Sequence, residues 1–319
     1  MKIFVAMPTL EDSETSLTIQ NAYDTASNPE KIYFGIACTS AQEYYDSLIK
    51  KIGHYPNVNI MKYNLDENAG VGYGRSNSMK FYEDQEYMLQ IDSHTLFEKN
   101  WDKILIEMYN KAVLKTNNPK TILTAYLSQY TNTAKYGRLS DKENPKYPRF
   151  AYNDHNGLFR TRGIPGWDFT PMNHFSNSYQ DEFLPCVKFN ANFAFGNKYF
   201  IQNTGLVENC YFWEEEILQT INLLGDNFSL VFPNQYVPLF HLYSQDIKEF
   251  NEDSVAQRNS LLSSLGENKN NTNIPASNYF NFIMNQENAK KIKIFEDYTM
   301  VNTQLGPTVE WYIPKEYSR

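Results

Sequence analysis

The sequence predicts an α/β protein built on a mostly parallel sheet flanked by helices, and three observations carry that expectation. Short, continuous apolar runs alternate with stretches of helical spacing through the first 127 residues. Those runs read as strands buried on both faces, which is what a parallel sheet under helices requires. One of them, "YMLQI" at 87–91, stops abruptly at Asp92-Ser93-His94. Open sheets of this type gather their ligands beyond the carboxyl ends of the strands.

Taken in order, "KIFVAM" is a short strand, and "SLTIQNAYDTA" has helical spacing with Thr15 or Ser16 placed to cap it. "KIYFGIAC" is the second strand, "SAQEYYDSLIKKI" a helix with Ser40 as its N-cap, and "VNIMKYN" the third strand. "GVGYGRSNSMKFY" opens on glycines and continues as a helix into the strand "YMLQID". "NWDKILIEMYNKAVLK" is amphipathic, with Asn100 at the N-cap position, and "TILTAYL" is the next strand. From 128 to 185 the chain turns polar, aromatic and Pro/Gly-punctuated, the texture of a variable lid or acceptor segment. Regular texture resumes with "CVKFNANFAFGNKYF", the helix "EEEILQTINLL", the strand "FSLVFP" and "QYVPLFHLY". Beyond 245 lies a helical and mixed extension to 319, in which "SVAQRNSLLSSLG" ends at the C-cap Gly266.

Composition narrows the function. With 319 residues the core is large enough to fold without disulfides or a structural metal. The formal charge of -8 and pI near 5.3 argue against whole-molecule attraction to nucleic acid. The lysine run at 290–293 reads as a solvated face. Cys38, Cys186 and Cys210 are odd in number and widely spaced, so they suggest neither a disulfide framework nor a zinc site. The first residues are too briefly apolar for a signal peptide or membrane anchor, which predicts a soluble, cytoplasmic protein without membrane contact. The 24 Tyr and 21 Phe, with many Asn and Lys, fit an AT-rich coding sequence of bacterial or viral type better than a ligand requirement.

Three clusters could carry chemistry. In extended backbone, residues i and i+2 point the same way. Asp92 and His94 would therefore present a carboxylate and an imidazole together, a natural pair of divalent-metal ligands. His241, leaving the apolar run "VPLF", is the candidate third ligand. The competing reading makes Asp92 a turn cap and His94 a hydrogen-bonded structural residue. "NAGVGYGRSNSM" fits neither a dinucleotide fingerprint nor a Walker A loop, but it places Arg75 in the first turns of a helix. An arginine there suits a diphosphate or simply the surface. "FWEEEI" puts three acids at a helix start, which the helix dipole favours by itself. Glu215 or Glu216 could instead bind sugar hydroxyls or take a proton.

In this order, "GVGYGRSNSM", "LQIDSH" followed by Phe and Trp-Asp, "NANFAFG", "FWEEEI", "VPLFHLY" and "QRNSLLSSLG" resemble one family. It is that of the cytoplasmic polypeptide N-acetylglucosaminyltransferases that modify hydroxyproline, within the GT-A glycosyltransferases. The likeness covers 1–127 and 186–266. It implies a GT-A catalytic domain over 1–245, with 128–185 inserted and 246–319 packed on the same domain. It further implies a nucleotide-sugar donor, UDP-linked, held with Mn²⁺ (or Mg²⁺) on Asp92, His94 and His241. Arg75 and Asp92 would face the donor, Pro8 and Thr9 would border the uridine, and Glu215 and Glu216 would lie near the transferred sugar, with retention of configuration. Two positions depart from the family: Glu214 stands where glycine is usual, and Asn192 where a small residue is. Both should lie near the sugar, so the donor need not be N-acetylglucosamine. The acceptor expected is a hydroxyl on a protein. The alternatives are a hydroxylated DNA base, as some phages glycosylate, or nucleotide-sugar binding without catalysis. Nothing in the sequence sets the oligomeric state.

Overall fold

Most apolar runs of the first half form strands buried along almost their whole length; the run at 58–63 is the exception, with none of its residues buried. In this computed structural model the described residues are 1–67, 70–125, 127–130, 183–185, 189–203, 210, 214–235 and 237–242, with short strands at 160–161, 169–170, 298–302 and 310–314. Most of the 128–185 segment and of the 246–319 extension lies outside them, as do Cys186, the Gly266 helix end and the 290–293 lysine run.

The elements follow the order β1 (Ile3–Leu10), α1 (Thr15–Thr25), β2 (Ile32–Thr39), α2 (Gln42–Ile52), β3 (Val58–Tyr63), α3 (Val71–Met79) and β4 (Tyr87–Ile91). Next come β5 (Thr95–Phe97), α4 (Trp101–Thr116), β6 (Thr121–Thr124), β7 (Ser128–Gln129), β8 (Arg160–Thr161), β9 (Phe169–Thr170) and β10 (Leu184–Pro185). The chain continues through β11 (Phe193–Asn197), α5 (Lys198–Asn203), α6 (Glu214–Gly225), β12 (Ser229–Phe232), β13 (Leu239–His241), β14 (Tyr298–Asn302) and β15 (Glu310–Pro314).

Eight strands make the central sheet in the order β10-β12-β6-β11-β4-β1-β2-β3. It is mostly parallel: β11 runs against β4 and β6, β10 runs against β12, and the other neighbours are parallel. Every residue of β4 is buried, which explains its apolar run; the one polar member, Gln90, donates to the Ala191 carbonyl at 3.1 Å. From β1 the chain passes through α1 to β2 on one side, then returns through α3 to β4 on the other. The carboxyl ends of β1 and β4 therefore flank a topological switch point, where such sheets open a crevice. Asp92 is the first residue beyond β4.

A second sheet, β5-β13-β7, sits at that same end. The short β5 was not visible in the sequence pattern, yet it fixes the site. Its antiparallel register pairs Leu239 with Phe97, Phe240 with Leu96 and His241 with Thr95. Phe240 and Leu96 join Tyr130 and Leu242 in a small apolar cluster, while Leu239 joins the main core. His241 shares the Leu239 side by strand alternation.

Several local expectations are corrected. β1 extends through Leu10, so Pro8 and Thr9 are strand residues paired with Ala37 and Cys38 rather than a loop. A proline is tolerated there because the ladder to β4 has already ended at Ala6. Neither Thr15 nor Ser16 caps α1: Glu14 holds the N-cap position without a side-chain bond. Ser40 does not cap α2, whose N-cap is Ala41, and its hydroxyl lies against the Cys38 thiol instead. Asn100 does precede α4, but at φ 66 its side chain accepts from Ser27 rather than capping. The glycine entry to α3 has a backbone reason: Gly70 sits at φ 98, a conformation costly for any other residue.

Candidate active site

The site is assembled from the ends of β1 and β4, the start of α6, the small sheet and α3. Arg75 is its hub. α3 carries this side chain inward, and only 3% of it is exposed. Its Nη2 donates to Asp92 Oδ1 at 2.6 Å and its Nη1 to the Ile91 carbonyl at 3.1 Å. Its Nε lies 2.8 and 3.0 Å from the two Glu215 oxygens. An arginine this buried is tolerable only with such pairing.

Asp92 and Glu215 respond differently to that hub. Burial pushes both up, but for Asp92 the Arg75 guanidinium and the His241 imidazole outweigh it and hold the carboxyl well below the usual range. For Glu215, burial wins over Arg75, helped by the neighbouring charges of Glu216 and Asp92, and raises it to about 7. Glu215 is thus poised near neutrality, where a group can give or take a proton.

Asp92, His94 and His241 meet beside Arg75. Each offers one ligand atom, and these atoms all lie within 4.8 Å of one another. His241 Nε2 is 2.9 Å from Asp92 Oδ2, and the two imidazole rings are 4.5 Å apart, edge to face at 70°. Burial pushes His241 down, against the pull of its bond to Asp92. Neighbouring ligands about 2.1 Å from one divalent ion stand about 3–3.5 Å apart. A carboxylate and two imidazoles already this close fit an ion with small side-chain adjustments, and the donor set suits a divalent transition metal.

One member of this network had no signal in the sequence reading. Asp12, just past β1, accepts from His94 Nδ1 at 2.6 Å and Ser93 Oγ at 2.7 Å on Oδ2, and from the Glu14 amide at 2.9 Å on Oδ1. Burial would raise it, but His94 and these donors hold it down at about 2. Burial likewise works against the charged form of His94, yet Asp12 and Asp92 raise it. An acid in the loop after the first strand was the available clue.

On the far side of Arg75, α6 anchors the backbone that precedes β11. Glu216 Oε1 accepts the Ala191 amide at 2.9 Å, and Thr220 Oγ1 accepts that of Phe189 at 2.9 Å. Thr124, from β6, accepts the Asn190 amide at 2.8 Å. Asn192, the next residue but one, is buried beside the start of β11. Thr9 is buried too, its hydroxyl 2.7 Å from that of Thr15. Pro8 packs against α3 at Gly74, where a Cβ would come within 2.8 Å of the proline ring. All the residues singled out in the sequence thus stand at one end of the sheet. The departure residue Glu214 begins α6.

Comparison with known proteins gives this arrangement a context. The family model described as glycosyltransferase (GlcNAc) matches residues 38–304. No curated protein matches the chain by sequence. Among solved structures, GalNAc-T7 with UDP, GalNAc and Mn²⁺ aligns over 93% of this chain and 54% of its own, at 11% identity and a TM-score of 0.58. S. aureus TarS 1-349 in complex with UDP-GlcNAc aligns over 91% of this chain and 72% of its own, at 12% identity and a TM-score of 0.52. The chain therefore spans about half the length of GalNAc-T7. At such identities the likeness is one of fold, the GT-A fold of both. Among the described residues no helix is long and apolar enough to cross a membrane.

Proposed function

Because this chain belongs to the glycosyltransferase (GlcNAc) family, we propose that it transfers a sugar from a nucleoside-diphosphate donor, UDP-linked, to a hydroxyl acceptor with retention, using Mn²⁺ or Mg²⁺ held by Asp92, His94 and His241. The observation that carries the reading is the convergence of one carboxylate and two imidazoles within 4.8 Å at the switch point of the sheet. The printed ligands of the fold neighbours, UDP with Mn²⁺ in one and UDP-GlcNAc in the other, point the same way.

A bound divalent ion would supply positive charge to the departing diphosphate. The protein's own residues do the rest. Asp92 brings the anionic ligand, and Arg75 keeps it ionised and in place through the 2.6 Å contact. Buried as it is, Arg75 acts on the donor mainly through Asp92 and as a fixed positive charge near the diphosphate. Pro8 and Thr9 border the uridine. Glu216 pegs Ala191, and so sets the backbone that carries Asn192 towards the sugar. Glu215, near neutrality, is the group able to exchange a proton with a sugar or acceptor hydroxyl. In this reading the 1–245 region is the catalytic unit, and the acceptor is a protein hydroxyl, as in the hydroxyproline-modifying branch.

The test is UDP release from a panel of UDP-sugars with and without Mn²⁺, together with thermal shifts for the same ligands. Metal-dependent turnover that falls at least 100-fold in Asp92→Ala and His241→Ala is expected. Turnover that persists unchanged in chelator, or in Asp92→Ala, would sink the metal assignment. An absence of turnover and of any UDP-dependent stabilisation would remove the donor as well.

A further inference from the structure

We propose that Asp12 is the positioning residue that makes His94 a metal ligand, by fixing the proton on Nδ1 and leaving the Nε2 lone pair for the ion. This rests on the metal reading above and goes beyond it in assigning the residue that directs the ligand. The bonds leave little choice. Asp12 already accepts the Glu14 amide on Oδ1 and the Ser93 hydroxyl on Oδ2, so it accepts from the imidazole nitrogen 2.6 Å away as well, and a neutral ring must carry its proton there. That nitrogen is Nδ1, and the one left over is Nε2.

Asp12 is itself fixed from every side. Its side chain is 8% exposed. Its carboxylate takes three donors, from His94, Ser93 and the Glu14 amide. Its carbonyl accepts from the Tyr44 hydroxyl at 2.6 Å and from Thr15 Oγ1 at 2.9 Å. Thr15 in turn meets Thr9 on β1. The bonds therefore run from β1 and α2 through Asp12 to the His94 ring. A carboxylate behind a ligating histidine, set this way, orients the ring and raises the affinity of the ion site.

Asp12→Asn is a sharp probe because the backbone forbids the harmless rotamer. The Glu14 amide can only donate, so the new side chain must keep its oxygen there and turn its NH₂ towards His94. Nδ1 then has to accept, the proton moves to Nε2, and the lone pair aimed at the ion is lost. Two measurements on the full chain decide the matter. Nitrogen NMR of the imidazoles, in chelator-treated protein at a pH where the ring is neutral, should report Nδ1–H in the wild type and Nε2–H in Asp12→Asn. Mn²⁺ titration followed by EPR should show about 10–100-fold weaker binding in the variant, with its folded state checked by its melting curve.

A folded Asp12→Asn that binds Mn²⁺ as the wild type does overturns the assignment and leaves the metal reading intact. A wild type that binds no Mn²⁺ overturns the metal reading itself. Should the variant fail to fold, the wild-type spectrum still decides: an Nε2–H tautomer at His94 refutes the role given to Asp12.

Discussion

Arg75→Met tests whether the site is held together by charge or by shape. Methionine reaches nearly as far and packs as well, but it brings no positive charge. In the wild type one buried guanidinium meets Asp92 at 2.6 Å, both Glu215 oxygens at 2.8 and 3.0 Å, and the Ile91 carbonyl at 3.1 Å. Its removal strands two carboxylates together out of water, and leaving buried charge uncompensated costs about 3–5 kcal/mol. An unfolding entropy of about 2.1 cal/mol/K per residue, over 319 residues, turns this into a melting temperature lower by roughly 4.5–7.5 °C.

Packing loss alone could lower the melting point too, so the diagnostic is the pattern. Without Arg75 the folded-state pKa of Asp92 is no longer held down, and that of Glu215, already raised, climbs further. The deficit against the wild type should then be smallest at the acid end and grow as the pH rises, because Asp92 stays ionised in the folded wild type below the ordinary carboxylate range while the variant's buried carboxylates take up protons. Adding Glu215→Gln removes one of the stranded charges. The double variant should be more stable than the sum of the single effects, with a coupling of about 1–3 kcal/mol. The assay is thermal unfolding of the four proteins in chelator from pH 4 to 8. A deficit that is flat with pH, together with effects that add within about 0.5 kcal/mol, would show that Arg75 only fills space.

Glu215→Gln alone should reverse the usual direction of an acid-to-amide change. With a folded value near 7 against an ordinary 4.5, Glu215 makes the wild type lose stability as the pH climbs from 4.5 through 7. The variant should escape that loss and be the more stable protein at pH 8 by up to about 3 kcal/mol, read from chelated melts. Identical pH slopes would mean that Glu215 ionises normally. Gly74→Ala pits a helix-propensity gain of about 1 kcal/mol against a Cβ only 2.8 Å from a proline ring that cannot swing aside. Overpacking of about 1–3 kcal/mol should win, lifting α3 from β1, lowering the melting temperature and loosening Mn²⁺ through Arg75. A higher melting temperature would show that the α3–β1 contact has slack.

What could be read from the sequence, and what could not, divides by range. β1, β2, β4 and β6 announce themselves because a strand buried on both faces needs a mostly apolar run, and "YMLQI" or "KIFVAM" has no other use for one, whereas β3, at the sheet edge, has a more mixed run and no buried residue. Asp92 and His94 were legible because strand alternation is local. β5, at three residues, is too short to carry a period, and β11 gives no sign that it runs antiparallel between β4 and β6. The helix caps failed because Ser40 and Asn100 found partners in other segments, Cys38 and Ser27, that compete with the helix ends. Asp12 and the Arg75–Glu215 pair were invisible for the same reason at longer reach. The latter two are 140 positions apart, and only closure of the sheet brings them to 2.8 Å.

That closure has an electrostatic consequence. It places two carboxylates, Asp92 and Glu215, around one permanent cation, Arg75, while burial pushes His241 down. The carboxylates outnumber that cation, and burial, with a smaller push from Glu216 and Asp92, raises Glu215 to about 7. An anionic diphosphate would enter such a site against repulsion. On the proposed function, a divalent ion seated on Asp92 both offsets the surplus and offers the diphosphate a counter-charge, so each ligand makes room for the other. Linkage then requires the benefit to be mutual: whatever factor the ion adds to donor affinity, the donor adds to ion affinity. On the role proposed for Asp12, its bond to His94 would serve the same end by keeping an imidazole lone pair available to the ion.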